Sequence, residues 1–183
     1  MKLMFVNAGH DIILDPGAVN KIIGINEAEI AKDIALRVEH LLLMVGYEVK
    51  SIQSDALTWL INESNTWGAD LFVSIHCNGF TDESVNGTET LYHPQSTNGK
   101  MLAQCIQLQL VETLCSKDRG IKPRTDLAVL NQTDCPAVLV EVDFITNNRV
   151  ASQMKEERWL NGCASAIARG ITDYIVKRRV QNV

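Results

Sequence analysis

Apolar residues along the chain follow two alternating rhythms. Leu3–Asn7 and Leu71–Ile75 are short apolar runs, and the second is nearly continuous, as in strands buried on both faces. Tyr47–Ile52 alternates weakly, Gly87–His93 has the composition of a strand, and Asp126–Leu130 and Ala137–Val142 are brief apolar stretches. Each is read as a strand. Between them lie helical patterns. Ile25–Val45 sets Ala31, Ile34, Ala35, Val38, Leu41, Leu42 and Val45 at helical spacing and meets a stop signal at Gly46. Ala56–Trp67 and the looser Gly99–Ser116 read as further helices. Glu157–Val176 is the last, with Leu160, Cys163, Ala164, Ile167, Ile171, Tyr174 and Ile175 on one stripe. Strands alternating with helices predict an α/β fold, a twisted, mostly parallel sheet with helices on both faces. No repeat, low-complexity tract or linker interrupts the pattern. One domain over residues 1–178 is expected, with 179–183 as a tail.

The bulk properties narrow the function classes. The 183 residues are 46% hydrophobic and 21% charged, enough for one sizeable core. A net charge of −5 carries no electrostatic footprint for nucleic acid, and none is expected as a partner. Only Lys177-Arg178-Arg179 is locally basic, as in a solvated helix end. The apolar run near the N-terminus is too short for a signal-peptide core, and no stretch approaches the roughly 18 apolar residues of a membrane span. Synthesis in the cytoplasm with action after release is the resulting expectation, and no membrane partner is expected. Five cysteines, an odd number without paired metal-site spacing, read as reduced and mostly buried thiols.

Four side chains fall where such a sheet places a site, outside the carboxyl ends of its strands. His10 follows the first strand, Glu27 opens the first long helix, His76 ends the strand Leu71–Ile75, and Glu141 lies in the strand Ala137–Val142. Two imidazoles and a carboxylate form a standard catalytic zinc set with one position open for water. A second carboxylate is then needed to shuttle a proton, and Glu141 fits, because a carboxylate in an apolar strand is costly without a role or partner. Spacing alone does not settle this. His10 also reads as a loop histidine, and Glu27 as a charge favoured by the helix dipole.

Longer motifs add a resemblance. Gly9-His10 with Asp15-Pro16-Gly17-Ala18, the stretch Ala69–Asn78, and Pro136–Val142 followed by Phe144-Ile145-Thr146-Asn147 resemble, in order, the motifs of the zinc-dependent N-acetylmuramoyl-L-alanine amidases. Gly87–Tyr92 and Arg119-Gly120-Ile121-Lys122 match more weakly. Together these segments span nearly the whole chain. The resemblance implies zinc held by His10, Glu27 and His76, Glu141 as the catalytic glutamate, and peptidoglycan as the substrate. The implied reaction hydrolyses the amide between N-acetylmuramic acid and L-alanine. A zinc peptidase acting on stem peptides and an inactive wall-binding module are the alternatives.

The chain departs from the family pattern in three places. Asp11-Ile12 stands where two glycines commonly follow the first histidine, Asp143 stands in place of a glycine, and Ser51-Ile52-Gln53 replaces a Thr-Arg pair. If the strand continues through Asp143, its side chain is expected on the face of Glu141, and the alternative is a solvated loop carboxylate. Cys77 is expected to face away from His76. His40 reads as a half-exposed helix residue and His93 as structural. Asn78 either orients a ligand or caps the turn after its strand.

Overall fold

The computed structural model describes residues 2–181. Its main sheet has six strands: β1 (Leu3–Ala8), β4 (Glu48–Gln53), β5 (Leu71–Asn78), β6 (Thr88–Tyr92), β7 (Asp118–Pro123) and β8 (Ala137–Phe144). Their order is β4-β1-β5-β8-β6-β7. Every pairing is parallel except that of β6 with β8. The chain leaves β1 for β4 on one side and then returns to β5 on the other, so the sheet has its switch point at the carboxyl ends of β1 and β5. A two-stranded hairpin, β2 (Val19–Asn20) with β3 (Ile25–Asn26), leads into the first helix.

Local chemistry sets the helix ends. Helix α1 (Glu27–Val45) starts where the Asn26 side chain accepts from the Glu29 amide, and it stops at Gly46, which adopts φ 93°. Ser96 caps α3 (Thr97–Leu114) by accepting from the Gly99 amide, and Asn147 caps the short α5 (Asn148–Gln153) through the Val150 amide. Helix α6 (Glu157–Gln181) continues beyond Val176, so Arg179–Gln181 of the expected tail are helical, and 182–183 lie outside the described residues. No described helix is long and apolar enough to cross a membrane.

The two faces are covered unequally. Helices α1, α3 and α6 bury a large core with the side chains of Met4, Val6, Val73, Ile75, Val138 and Val140. On the other face, α2 (Leu57–Trp67) and the short α4 (Ala128–Asn131) cover only a smaller cluster around Phe5, Phe72, Ala137 and Leu139. The carboxyl ends of β1, β5 and β8 therefore stay uncovered on that side.

One expectation about elements is corrected, and one strand is added. Asp126–Leu130 is not a strand. Its apolar residues Leu127, Val129 and Leu130 instead bring the turn and α4 onto the smaller cluster, a difference that so short an apolar run does not reveal. The sixth strand is β7, which was not anticipated as one. As an edge strand with exposed ends and a single large apolar residue, Ile121, it carries no alternation to detect. The five cysteines are free, with Cys77, Cys105 and Cys163 buried.

Helices α3 and α6 pack closely at Gly170. A Cβ there would lie 2.5 Å from the Ile106 Cα and 2.8 Å from its nitrogen, backbone that cannot step aside. Gly170→Ala is expected to destabilise the protein by about 1–3 kcal/mol, as overpacking does. Urea unfolding measures this, and a gain in stability would show that the helices are not in contact as described.

Candidate active site

The Glu27 carboxylate lies at the centre of the uncovered region, at the start of α1 and only 4% exposed. Its Oε1 accepts from the Cys77 amide at 3.0 Å and faces His76 Nδ1 at 2.9 Å. Its Oε2 accepts from the Ala18 amide at 2.9 Å and faces His10 Nε2 at 3.2 Å. The two rings meet edge to face with centroids 5.1 Å apart. One donor atom from each of His10, Glu27 and His76 lies within 4.8 Å of the others.

Each imidazole is oriented from behind. The Ser74 hydroxyl donates its proton to Asn7 Oδ1, and the Asn7 amide donates to the carbonyls of Ala8 and Ile52. The Ser74 oxygen, 3.1 Å from His76 Nε2, is then left to accept from that nitrogen. The lone pair of His76 therefore sits on Nδ1, toward Glu27. On His10, Nδ1 donates to Asp15 Oδ2 at 2.8 Å, which turns the Nε2 lone pair inward. Both inner contacts with Glu27 thus set a nitrogen lone pair against a carboxylate oxygen, and each needs a proton or a cation between them.

Backbone shape makes the approach possible. His10 adopts φ 61°, a strained conformation for a residue with a Cβ, of the kind found at functional sites. It follows Gly9, whose amide donates to the Ile75 carbonyl and where any Cβ would run into the His76 ring. Gly17, at φ 66°, packs so that a Cβ would lie 2.6 Å from both Glu27 Oε2 and His10 Cδ2. Between these glycines, Asp11 and Asp15 pair through their backbones, and Asp11 Oδ1 accepts from the Ile13 and Leu14 amides. The departure from a double glycine thus forms a self-bonded loop that leaves Ile13 89% and Leu14 81% exposed.

Glu141 is the register partner of His76 on one side and of Glu89 on the other. Its Oε2 is sealed from solvent without a hydrogen-bond partner. Burial, with Glu27 and Glu89 nearby, pushes its carboxyl up to about 8. Hydrogen bonding to Glu27 raises His10 to about 9 against the opposing effect of burial. For Glu27, burial disfavours the charge, but the hydrogen bonds to His10 and His76 hold its pKa at about 2. A cavity of about 460 Å³ opens beside His10 and His76, walled by Asp55 and Leu57 before and within α2 and by Leu127–Val129 at α4.

The remaining expectations resolve as follows. Cys77 is buried in the larger core, away from His76. His40 is exposed on α1, and His93 follows β6 and accepts weakly from the Gln95 amide, so neither joins the cluster. Asn78 caps the turn, where its Oδ1 accepts from the Gly79 amide, and its Nδ2 donates to Glu89 Oε1 at 3.1 Å rather than to any residue of the His10–Glu27–His76 cluster. Asp143 is neither a neighbour of Glu141 nor a solvated loop residue. The register of β8 slips so that Val142 and Asp143 both oppose Cys77, which turns Asp143 to the other face. There it is 5% exposed and accepts from the amides of Gly87 and Phe144 and from Ser116 Oγ. Asn7, Ser74 and Glu89 went unnoticed as contributors, because a polar residue inside an apolar strand carries no mark of what it holds.

An α/β sheet with two imidazoles and a carboxylate converging at its switch point, next to a sealed carboxyl, defines a class of α/β domain whose site could hold a metal ion. The comparisons narrow this class. The model for the Amidase_3 family, N-acetylmuramoyl-L-alanine amidase, matches residues 4–173, and the chain belongs to that family. It is 37% identical to the N-acetylmuramoyl-L-alanine amidase LytC of Bacillus subtilis over 93% of this chain, although it covers only 35% of LytC. It is 32% identical to the endolysin of Bacillus phage SPP1, covering 95% of this chain and 66% of the endolysin. Among solved structures, the catalytic domain of CwlV, an N-acetylmuramoyl-L-alanine amidase from Bacillus (Paenibacillus) polymyxa, is similar with a TM-score of 0.89 and 31% identity. That match covers 96% of this chain and 99% of the CwlV domain.

Two variants probe this arrangement. Ser74→Ala removes the acceptor that orients His76 and should weaken binding of an added divalent metal by roughly 10–100-fold, the usual weight of such outer partners. Unchanged affinity in a metal titration would refute the tautomer assignment. Asp143→Gly should cost about 1–3 kcal/mol of stability through its lost buried hydrogen bonds and leave the pH dependence of activity in place. A displaced pH–rate profile with intact stability would put Asp143 back beside Glu141.

Proposed function

We propose that the chain is a zinc-dependent hydrolase of the amide that joins the lactyl group of N-acetylmuramic acid to the L-alanine of the stem peptide in peptidoglycan. The observation that carries this reading is the convergence of His10, Glu27 and His76 beside the unpartnered Oε2 of Glu141, in a chain of this family. The named activities of LytC and CwlV support the choice of substrate.

The donor set fits zinc. Two inward lone pairs and one carboxylate are the three protein ligands of a catalytic site, and a dication would relieve both contacts that otherwise need protons. Bound there, zinc would polarise the scissile carbonyl and acidify a water molecule. Glu141 handles the protons. Its carboxylate, which a neighbouring dication would keep ionised, takes one from the water as the water oxygen bonds to the carbonyl carbon. It then delivers that proton to the alanine nitrogen as the carbon–nitrogen bond breaks. The products are the muramoyl carboxylate and a stem peptide with a free amino terminus. Ser74 and Asp15 hold the two rings, and the shallow cover by α2 and α4 leaves room for a glycopeptide.

Chelation should abolish wall hydrolysis and added zinc should restore it, with about one zinc bound per chain. Glu141→Gln should retain zinc but lose roughly 10²–10⁴-fold in turnover, whereas His10→Ala and His76→Ala should lose metal and activity together. Mass spectrometry of products from defined muropeptides decides the reaction. Release of whole stem peptides supports the amidase, cleavage within the stem would make it a peptidase, and binding without products would make it a wall-binding module.

Proton release gives a further check. His10, held at about 9 in the metal-free protein, must be neutral to bind metal, so at pH 7 binding should expel about one proton from it. Zinc affinity should accordingly fall as pH drops below about 9. Calorimetry in buffers of different ionisation enthalpy measures the release, and a buffer-independent heat would rule it out.

A further inference from the structure

The row of charged side chains on the site face does not end at Glu141. Glu89, its register partner in β6, accepts from Arg119 Nε at 2.8 Å and from Asn78 Nδ2 at 3.1 Å. Arg119 reaches this face through a slip in register, since Arg119 and Gly120 together oppose Glu89, with Gly120 at φ 78°. Bulges of this kind re-aim a side chain next to active sites. The guanidinium carbon lies 4.8 Å from the centre of the Phe144 ring, and the Arg119 stem packs against Gly87, where a Cβ would come within 3.0 Å of it.

Three contacts thus hold one arginine rigidly, yet they use only one of its five N–H donors. Among the described residues, Nη1 and Nη2 have no partner, and the side chain is 29% exposed. A guanidinium fixed at Nε with its fork left open is preorganised for a carboxylate. Its place suits the reaction proposed above. Contact with Glu89 brings the guanidinium over β6, one strand spacing or roughly 5 Å from β8 and Glu141. A peptide leaving the scissile amide covers that distance in one to two residues at roughly 3.5 Å each. In a stem peptide, the residue after L-alanine is a glutamate linked through its side chain, and its α-carboxyl is either free or amidated.

We infer that Arg119 forms a carboxylate subsite for the residue following the stem alanine, and that it selects stems whose α-carboxyl is free over those in which it is amidated. This inference rests on the proposed amidase reaction for its choice of ligand. Glu89 and Phe144 position Arg119, and Asn78 positions Glu89, so an exposed cation becomes a directed one.

The test uses the zinc-loaded full chain and two N-acetylmuramoyl tripeptides, L-Ala-γ-D-Glu-L-Lys with the α-carboxyl free or amidated, together with the two tripeptide products. Wild type should favour the free carboxylate by about tenfold or more, the weight of a charge-assisted hydrogen bond, in KM and in product affinity by calorimetry. Arg119→Gln should make the two forms equivalent, and Arg119→Lys should recover part of the preference. Glu89→Gln/Arg119→Gln, which leaves no orphaned carboxylate, should also lack the preference while keeping its fold by circular dichroism. Equal treatment of the two forms by wild type, or a preference that survives Arg119→Gln, overturns the subsite. If Arg119 only balances Glu89, its variants will lose stability and weaken both peptides alike, which also overturns it. Product selectivity that depends on Arg119, without any turnover by wild type, would sink the amidase reaction and leave the subsite standing.

Discussion

A buried carboxylate must be satisfied, and in this chain the means of satisfying Glu27 organise the site. Its two oxygens lie within hydrogen-bond distance of the Ala18 and Cys77 amides and of two imidazoles. The amides tie the glycine-bearing loop after β1 and the end of β5 to the first turn of α1, whose dipole also favours the negative charge. The imidazoles add more than they settle, because each turns a lone pair inward. Ser74 and Asp15 cause this by fixing the outer nitrogens as donors. Removing a cation from such a site requires protons to replace it, and this physical link joins the fold to metal chemistry.

The site is open because the sheet is covered unequally. On the α1, α3 and α6 side, apolar side chains run to the strand ends, and even Cys77 is sealed. On the other side, α2 has eleven residues and α4 four, and their apolar residues reach only the strand starts. Polar residues at Asn7, Ser74, His76 and Glu141 could not be buried under a full helical layer without partners. Short helices and polar strand ends therefore belong to one solution, in which the groups that would be costly to bury line a cleft.

Much of this was legible in the sequence because it rests on periodicity and on what strand ends do. Continuous apolar runs marked β1, β5 and β8, and the 3.6-residue stripe marked α1 and α6. The same reading placed His10, Glu27, His76 and Glu141 at neighbouring carboxyl ends or at a helix start. The illegible parts depend on register and on edges. Strand β7 is exposed and nearly without apolar residues, so its pairing with β6 leaves no trace in composition. Leu127, Val129 and Leu130 suit a strand or a turn of helix equally until the small cluster beneath them is known. The Ser74–Asn7 relay depends on which strands are neighbours, and a strand read alone does not say.

Register also explains why the two most informative surprises are paired. A strand that alternates without interruption would have set Asp143 beside Glu141 and adding its charge there would have disfavoured ionisation of both. One extra residue opposite Cys77 turns Asp143 to the far face, where Gly87, Phe144 and Ser116 satisfy it. The slip in β7 works in the opposite sense, as one extra residue opposite Glu89 brings Arg119 onto the site face. The first bulge keeps a negative charge from the Glu141 carboxyl, and the second supplies a positive one beyond it. Both act through backbone pairing, so a substitution that repaired either register would redistribute charge around Glu141 without touching a residue of the His10–Glu27–His76 cluster.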